Sequence, residues 1–194
     1  MKALKIQSRG KAAVVDTKIP SLRPDYILVK VKAVALNPTD WKHIGFVSQA
    51  VTVGCDYAGV VEEVGSAVTL PWKKGDRVCG VVHGANETQL EDGAFGDYLV
   101  AKGDLQIKIP DGMTFEQAAG LGMGVSTVGQ GMYQALGLPL PNRPAKEKFP
   151  VLIYGGSSAM GAFGIQYAKK LVLSFSASFD AITKIIYLAL VSRL

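Results

Sequence analysis

The chain has 194 residues, long enough for one domain, or for one complete domain and part of a second. Hydrophobic residues make up 48% and charged residues 19%, a globular balance that excludes a disordered chain. Lysine and arginine (21) exceed aspartate and glutamate (16), for a net charge of +5, but the cations are scattered and no aromatics interleave with them, which argues against nucleic-acid binding.

The first residues, Met1, Lys2, Ala3, Leu4 and Lys5, lack the continuous apolar stretch of a signal peptide. No stretch reaches the ~18 uninterrupted apolar residues of a membrane span. The two cysteines, Cys55 and Cys79, are too few for a four-cysteine zinc site or a disulfide framework. The expectation is a reduced, soluble, cytoplasmic protein.

Residues 26–36 alternate as a half-buried strand does. Ile27, Val29, Val31, Ala33 and Ala35 fall on one face, and Lys30 and Lys32 on the other. Short strands are predicted at residues 58–61, 77–82, 95–101 and 105–109. Turn residues separate them: Gly65, Lys74-Gly75-Asp76, Asp92-Gly93 and Lys102-Gly103-Asp104. Close spacing of short strands predicts a compact antiparallel barrel-like unit.

The pattern changes after Ile109-Pro110-Asp111-Gly112. Thr114 with Gln117 reads as a capping box, followed by Phe115, Ala118, Ala119 and Leu121 at helical spacing. Gly120, Gly122 and Gly124 loosen the next stretch, so a second helix is predicted to start at Ser126 or Thr127. Prolines crowd residues 139–150, which read as an exposed connection.

An apolar run then leads from Val151, Leu152, Ile153 and Tyr154 into Gly155-Gly156-Ser157-Ser158-Ala159-Met160-Gly161-Ala162-Phe163-Gly164, with helical spacing to Lys170. A diphosphate needs backbone N–H groups pointed at it with no side chain in the way. A strand entering a helix through a glycine turn supplies them, and the helix dipole adds to the attraction. Ala159, Gly161 and Gly164 keep the spacing A-x-G-x-x-G, a relaxed dinucleotide fingerprint, and Ser157 and Ser158 carry hydroxyl donors. A ribose-reading acid or arginine is due about 20 residues past the first glycine. Position 175 is Phe175 and the nearest acid is Asp180, so NADP and NAD both stay open.

Several motifs now converge: Asn37-Pro38-Thr39-Asp40-Trp41-Lys42, Gly54-Cys55-Asp56-Tyr57-Ala58-Gly59-Val60-Val61, Val64-Gly65, Gly75-Asp76-Arg77-Val78, Gly93-Ala94-Phe95, Ile109-Pro110 and the glycine turn. Together they resemble the medium-chain dehydrogenase/reductase superfamily. More closely, with Gly124-Val125-Ser126-Thr127 and Leu136-Gly137-Leu138-Pro139, the chain is similar to the zinc-free fungal enoyl reductases that serve polyketide synthases in trans.

The resemblance implies a mixed α/β fold. A GroES-like β-barrel catalytic domain with its following helices would span residues 1–135, a linker 136–150, and an incomplete Rossmann segment 151–194. It implies hydride transfer from NADPH to the β-carbon of an α,β-unsaturated acyl thioester, with a carrier-bound acyl substrate and a polyketide synthase as partners. Zinc-dependent members place a cysteine where this chain has Asn37-Pro38-Thr39-Asp40, and Gly-His-Glu where it has Gly54-Cys55-Asp56. No zinc site is therefore expected, and His43 and His83 read as ordinary histidines.

By the same resemblance Pro38, Thr39, Asp40, Trp41 and Lys42 would sit at the nicotinamide and ribose end. Gly155, Gly156, Ser157, Ser158, Ala159, Met160 and Gly161 would hold the diphosphate. Thr127, Val128, Gly131, Met132 and Gln134 would line the acyl pocket, and Lys42 and Thr127 are the catalytic candidates. Each has a plainer reading. Asn37 to Asp40 suits an ordinary turn, Trp41 suits a cap on the barrel, and Val128 and Met132 suit helix packing. Cys55 suits a small buried hydrophobe.

After Lys170 the resemblance stops, and an apolar-rich stretch runs from Leu171 to Leu194. The expectation is a truncated gene-model product that lacks most of the cofactor domain. Residues 151–154 would then form a lone strand unless part of the tail pairs with it; the alternative is a helix over residues 181–191 that covers exposed apolar surface. Two other functions compete: a non-catalytic GroES-like interaction module, and a quinone reductase of the same superfamily.

Overall fold

The computed structural model describes residues 1–147 and 149–170, and the backbone of residues 174–177. The chain divides into two units, Met1–Met123 and Gly124–Leu194.

The first unit opens with an antiparallel hairpin of β1 (Lys2–Ser8) and β2 (Lys11–Asp16), for which the sequence gives no strand signal. β1 buries Ala3 and Ile6, three residues apart, so no period of two shows. β3 (Tyr26–Ala35) matches the predicted alternation: Ile27 and Val29 are buried, while Lys30 and Lys32 are exposed. β4 (Asp56–Val64) is longer than predicted because it pairs along its length with β3, from Ala35↔Asp56 to Ile27↔Val64. β5 (Arg77–Val81) and β6 (Tyr98–Lys102) follow.

The strand predicted at residues 105–109 shrinks to β7 (Ile107–Lys108), and a 3₁₀ turn, Gly103–Leu105, precedes it. The Asp104 carboxylate accepts from the Thr69 and Leu70 amides, and Trp72 Nε1 donates to Gly103 O, which holds the chain in that turn. The sheet order is β6-β3-β4-β5-β7, antiparallel throughout. Ile27, Val29, Tyr57, Val61, Val78 and Leu99 fill its main core.

Three helices accompany this unit. α1 (Pro38–Phe46) replaces the turn that Asn37 to Asp40 suggest, because Asn37 keeps an extended backbone and Pro38 opens the helix. α2 (Phe115–Ala119) has the predicted cap: Thr114 Oγ1 accepts from the Gln117 amide, and Gln117 Oε1 accepts from the Thr114 amide. Ala118 and Ala119 pack on Ala58, Cys79 and Ile109. α3 (Gly122–Gly129) starts earlier than Ser126. A carboxylate, Asp56 Oδ1, accepts from the Met123 amide at 2.6 Å and anchors that start.

In the second unit α3 runs into a π-helical turn, Gln130–Ala135. β8 (Pro150–Ile153), α4 (Ala159–Lys170) and β9 (Ser174–Ala177) then form a β-α-β unit. β8 and β9 are parallel, from Pro150↔Ser174 to Ile153↔Ala177. β8 is therefore not a lone strand, since part of the tail pairs with it. The helix expected over residues 181–191 lies outside the described residues. Val128, Met132 and Ala168 form the core of this unit, with Tyr133, Val151, Ile153, Met160 and Phe163 packed against it. No helix among the described residues is long and apolar enough to cross a membrane.

Candidate cofactor site

In the first unit the candidate residues sit on the first turn of α1. The helix starts here because Asn37 stays extended while its amide donates to Asp40 Oδ2 at 2.7 Å, the return half of a capping box. This turns Asp40 inward, where it is only 5% exposed. The same turn leaves Pro38 and Lys42 on the surface. Trp41 does not cap the barrel: it is 66% exposed, and Lys42 Nζ stands 5.7 Å from its ring. Thr39 is half-buried, and its Oγ1 lies 3.0 Å from His43 Nδ1 one turn on. His83 is exposed, and among the described residues no three His, Cys, Asp or Glu side chains are grouped to hold a metal ion.

Beneath that turn lies a buried polar cluster that the motif reading missed. Asn37 Nδ2 donates to Asp56 Oδ2 at 2.9 Å, and Asp56 Oδ1 holds the Met123 amide. Burial pushes the Asp56 carboxyl above the usual carboxylate range. The bonds from Asn37 and Met123 oppose that rise, and the Asp40 charge adds to it. Burial also pushes the Cys55 thiol up to about 12, helped by the facing Asp40 and Asp56 carboxylates, and the Cys79 thiol up to about 11. Both thiols stay protonated at neutral pH, so Cys55 is a buried neutral thiol and not a thiolate. The spacing of Asn37 and Asp40, an N-cap and its third helical residue, was the available signal for this cluster.

In the second unit the glycine turn has the geometry of an anion cradle. Gly155 takes φ +75°, and Gly161 sits against the turn so closely that a Cβ would run into the Gly155 carbonyl and lie 2.7 Å from Gly156 Cα. Ser158 caps α4: its hydroxyl donates to Gly155 O at 2.8 Å and accepts from the Gly161 amide at 3.0 Å. Its one donor hydrogen is thus used inside the turn and reaches a phosphate only by leaving Gly155. Ser157, Ser158 and Ala159 are exposed. The amides of Ala159 and Met160, in the first turn, have no intrahelical acceptor and are available to an anion.

The acyl-pocket candidates divide. Val128 and Met132 are buried in the unit's core, whereas Thr127, Gly131 and Gln134 are exposed. Tyr133, Phe163 and Tyr167 line a cavity of about 530 Å³ that includes none of those five residues.

Residues 23–111 match the family described as the alcohol dehydrogenase GroES-like domain. The chain is 53% identical over 170 residues to a trans-enoyl reductase, TOXD, of Cochliobolus carbonum, covering 87% of this chain and 57% of that one. It is 51% identical over 182 residues to the trans-enoyl reductase resD of Aspergillus sclerotiorum, covering 87% and 51%. The quinone oxidoreductase of Coxiella burnetii superposes with a TM-score of 0.76 at 26% identity, over 98% of this chain and 60% of that one. The chain spans about half the length of the curated relatives it matches. Residues 23–111 carry an alcohol dehydrogenase GroES-like domain, and over most of its length the chain is similar to the fungal trans-enoyl reductases and to a quinone oxidoreductase.

Proposed function

We propose that the protein is an NADPH-dependent enoyl reductase acting on an α,β-unsaturated acyl thioester carried by a polyketide synthase. The carrying observation is its kinship with the trans-enoyl reductases over a stretch that includes both candidate segments. When bound, NADPH supplies the hydride that ends on the β-carbon, and a proton goes to the α-carbon. The turn fits the diphosphate, because Gly155 and Gly161 keep side chains away and the Ala159 and Met160 amides, at a helix start, have no intrahelical acceptor. Gly156, Ser157 and Ser158 complete that turn. Pro38, Thr39, Asp40, Trp41 and Lys42 would take the nicotinamide end, where Lys42 presents an exposed cation. Thr127, Val128, Gly131, Met132 and Gln134 belong to the acyl side, the exposed Thr127, Gly131 and Gln134 as contacts and the buried Val128 and Met132 as their support.

Titrating the purified chain with NADPH and following cofactor fluorescence tests the reading. No saturable change up to about 1 mM refutes cofactor binding and leaves a non-catalytic GroES-like module. A quinone reductase is the second reading, favoured by the superposition on a quinone oxidoreductase. Parallel assays with an enoyl thioester and a quinone decide between the two.

A further inference from the structure

Buried carboxylates are rare unless something holds them. Asp56 is 2% exposed and is held from both sides, by Asn37 Nδ2 at 2.9 Å and by the Met123 amide at 2.6 Å. Neither donor is a cation. One belongs to the N-cap of α1 and the other to the first turn of α3. The approach is close enough to require glycine at position 122, where a Cβ would run into the Gly80 carbonyl and lie 2.7 Å from Asp56 Oδ1. Asn37 in turn presents its own amide to Asp40 Oδ2. The α1 start is thus fixed through Asn37, by Asp56 on one side and Asp40 on the other.

We propose that Asp56 is a positioning residue: by gripping Asn37 with one carboxylate oxygen and the Met123 amide with the other, it fixes the orientation of the Pro38–Lys42 turn. That the turn then serves a cofactor rests on the proposed function; the grip itself does not. The titratable groups facing Asp56 are Asp40 from α1, its neighbour Cys55 and Cys79 from β5.

The test exchanges the two partners in the full 194-residue chain. Asn37→Asp sets a carboxylate against Asp56 and should lower amide-exchange protection at position 37 and Met123 about tenfold at neutral pH. Protection should recover on acidification, when the facing pair takes up a proton. Asn37→Asp with Asp56→Asn keeps the total charge, restores one donor against one acceptor, and leaves an oxygen for Met123. It should exchange like the unaltered chain at all pH values. A merely space-filling role predicts no pH dependence and no rescue. Unchanged protection in Asn37→Asp, or a double variant that folds and exchanges no better than the single one, overturns the proposal. An NADPH titration of the same three proteins is read separately. If the unaltered chain does not bind while the exchange pattern holds, the cofactor reading fails and the grip stands. If it binds, Asn37→Asp should bind about tenfold more weakly and the double variant normally.

Discussion

Tyr57→Phe probes the main core of the first unit at a single atom. Tyr57 is fully buried on β4, and its hydroxyl donates to Gln106 Oε1 at 2.9 Å. Gln106 is itself buried, and its Nε2 is committed to the carbonyl of Lys102 at 3.0 Å, so the side chain is not free to turn its amide over. Phenylalanine keeps the ring and its packing against the core but leaves Gln106 Oε1 without a donor. An orphaned buried acceptor costs about 1–3 kcal/mol. Both tryptophans, Trp41 and Trp72, lie in the first unit, so urea unfolding followed by tryptophan fluorescence reports this unit. The expected result is a lower midpoint with an unchanged slope. Adding Gln106→Met should cost less in the Tyr57→Phe background than alone, with a coupling energy of about 1 kcal/mol. Burial also pushes the Tyr57 hydroxyl well above its ordinary range. That group favours folding below the unfolded tyrosine value of about 10 and loses the contribution as pH rises past it. The gap between wild type and Tyr57→Phe should therefore narrow in strong alkali. A loss under about 0.5 kcal/mol with no coupling to Gln106 would refute the reasoning.

Three further outcomes are expected. The thiols of Cys55 and Cys79 are pushed up to about 12 and about 11, so the unfolded chain ionises first. Stability of the first unit should fall as pH rises from about 9 towards 11, by up to about 1.4 kcal/mol per pH unit and thiol, and Cys79→Ala should flatten a fluorescence-monitored pH series. Arg23→Met strips the 2.6 Å partner from Asp92, which is only 5% exposed. The loss should be about 3–5 kcal/mol, partly recovered on adding Asp92→Asn, as read by the same urea series. Gly161→Ala forces a Cβ into the Gly155 carbonyl and should abolish NADPH binding in a fluorescence titration while leaving the tryptophan-monitored midpoint of the first unit unchanged.

Legibility varied with how local the cause was. β3 shows in the sequence because one buried face makes Ile27 and Val29 alternate with exposed lysines. The cap of α2 shows because Thr114 and Gln117 satisfy each other within one turn. α1 did not show, since Asn37, Pro38, Thr39 and Asp40 suit a turn and a helix start equally well by composition. The choice was made by Asp56, 19 residues away, which takes the Asn37 side chain. The early start of α3 was hidden for the same reason: its anchor is a carboxylate 67 residues distant in sequence. Gly122 looked like a helix breaker, and its value lies in the close approach to Gly80.

By itself the sequence determined the glycine turn, the antiparallel strands between residues 26 and 109, and the kinship those motifs carry, because each rests on neighbours in the chain. Tertiary structure decided which of the candidate polar groups are spent on the fold itself. Ser158, a hydroxyl suited to phosphate, spends its hydrogen on Gly155, and Val128 and Met132 go into a core. Asp56, part of a family motif, becomes the joint between two helix starts. Residue type sets what a group is able to bind. Whether it is free to do so depends on the partners that folding brings within about 3 Å, and those partners lie far away in sequence.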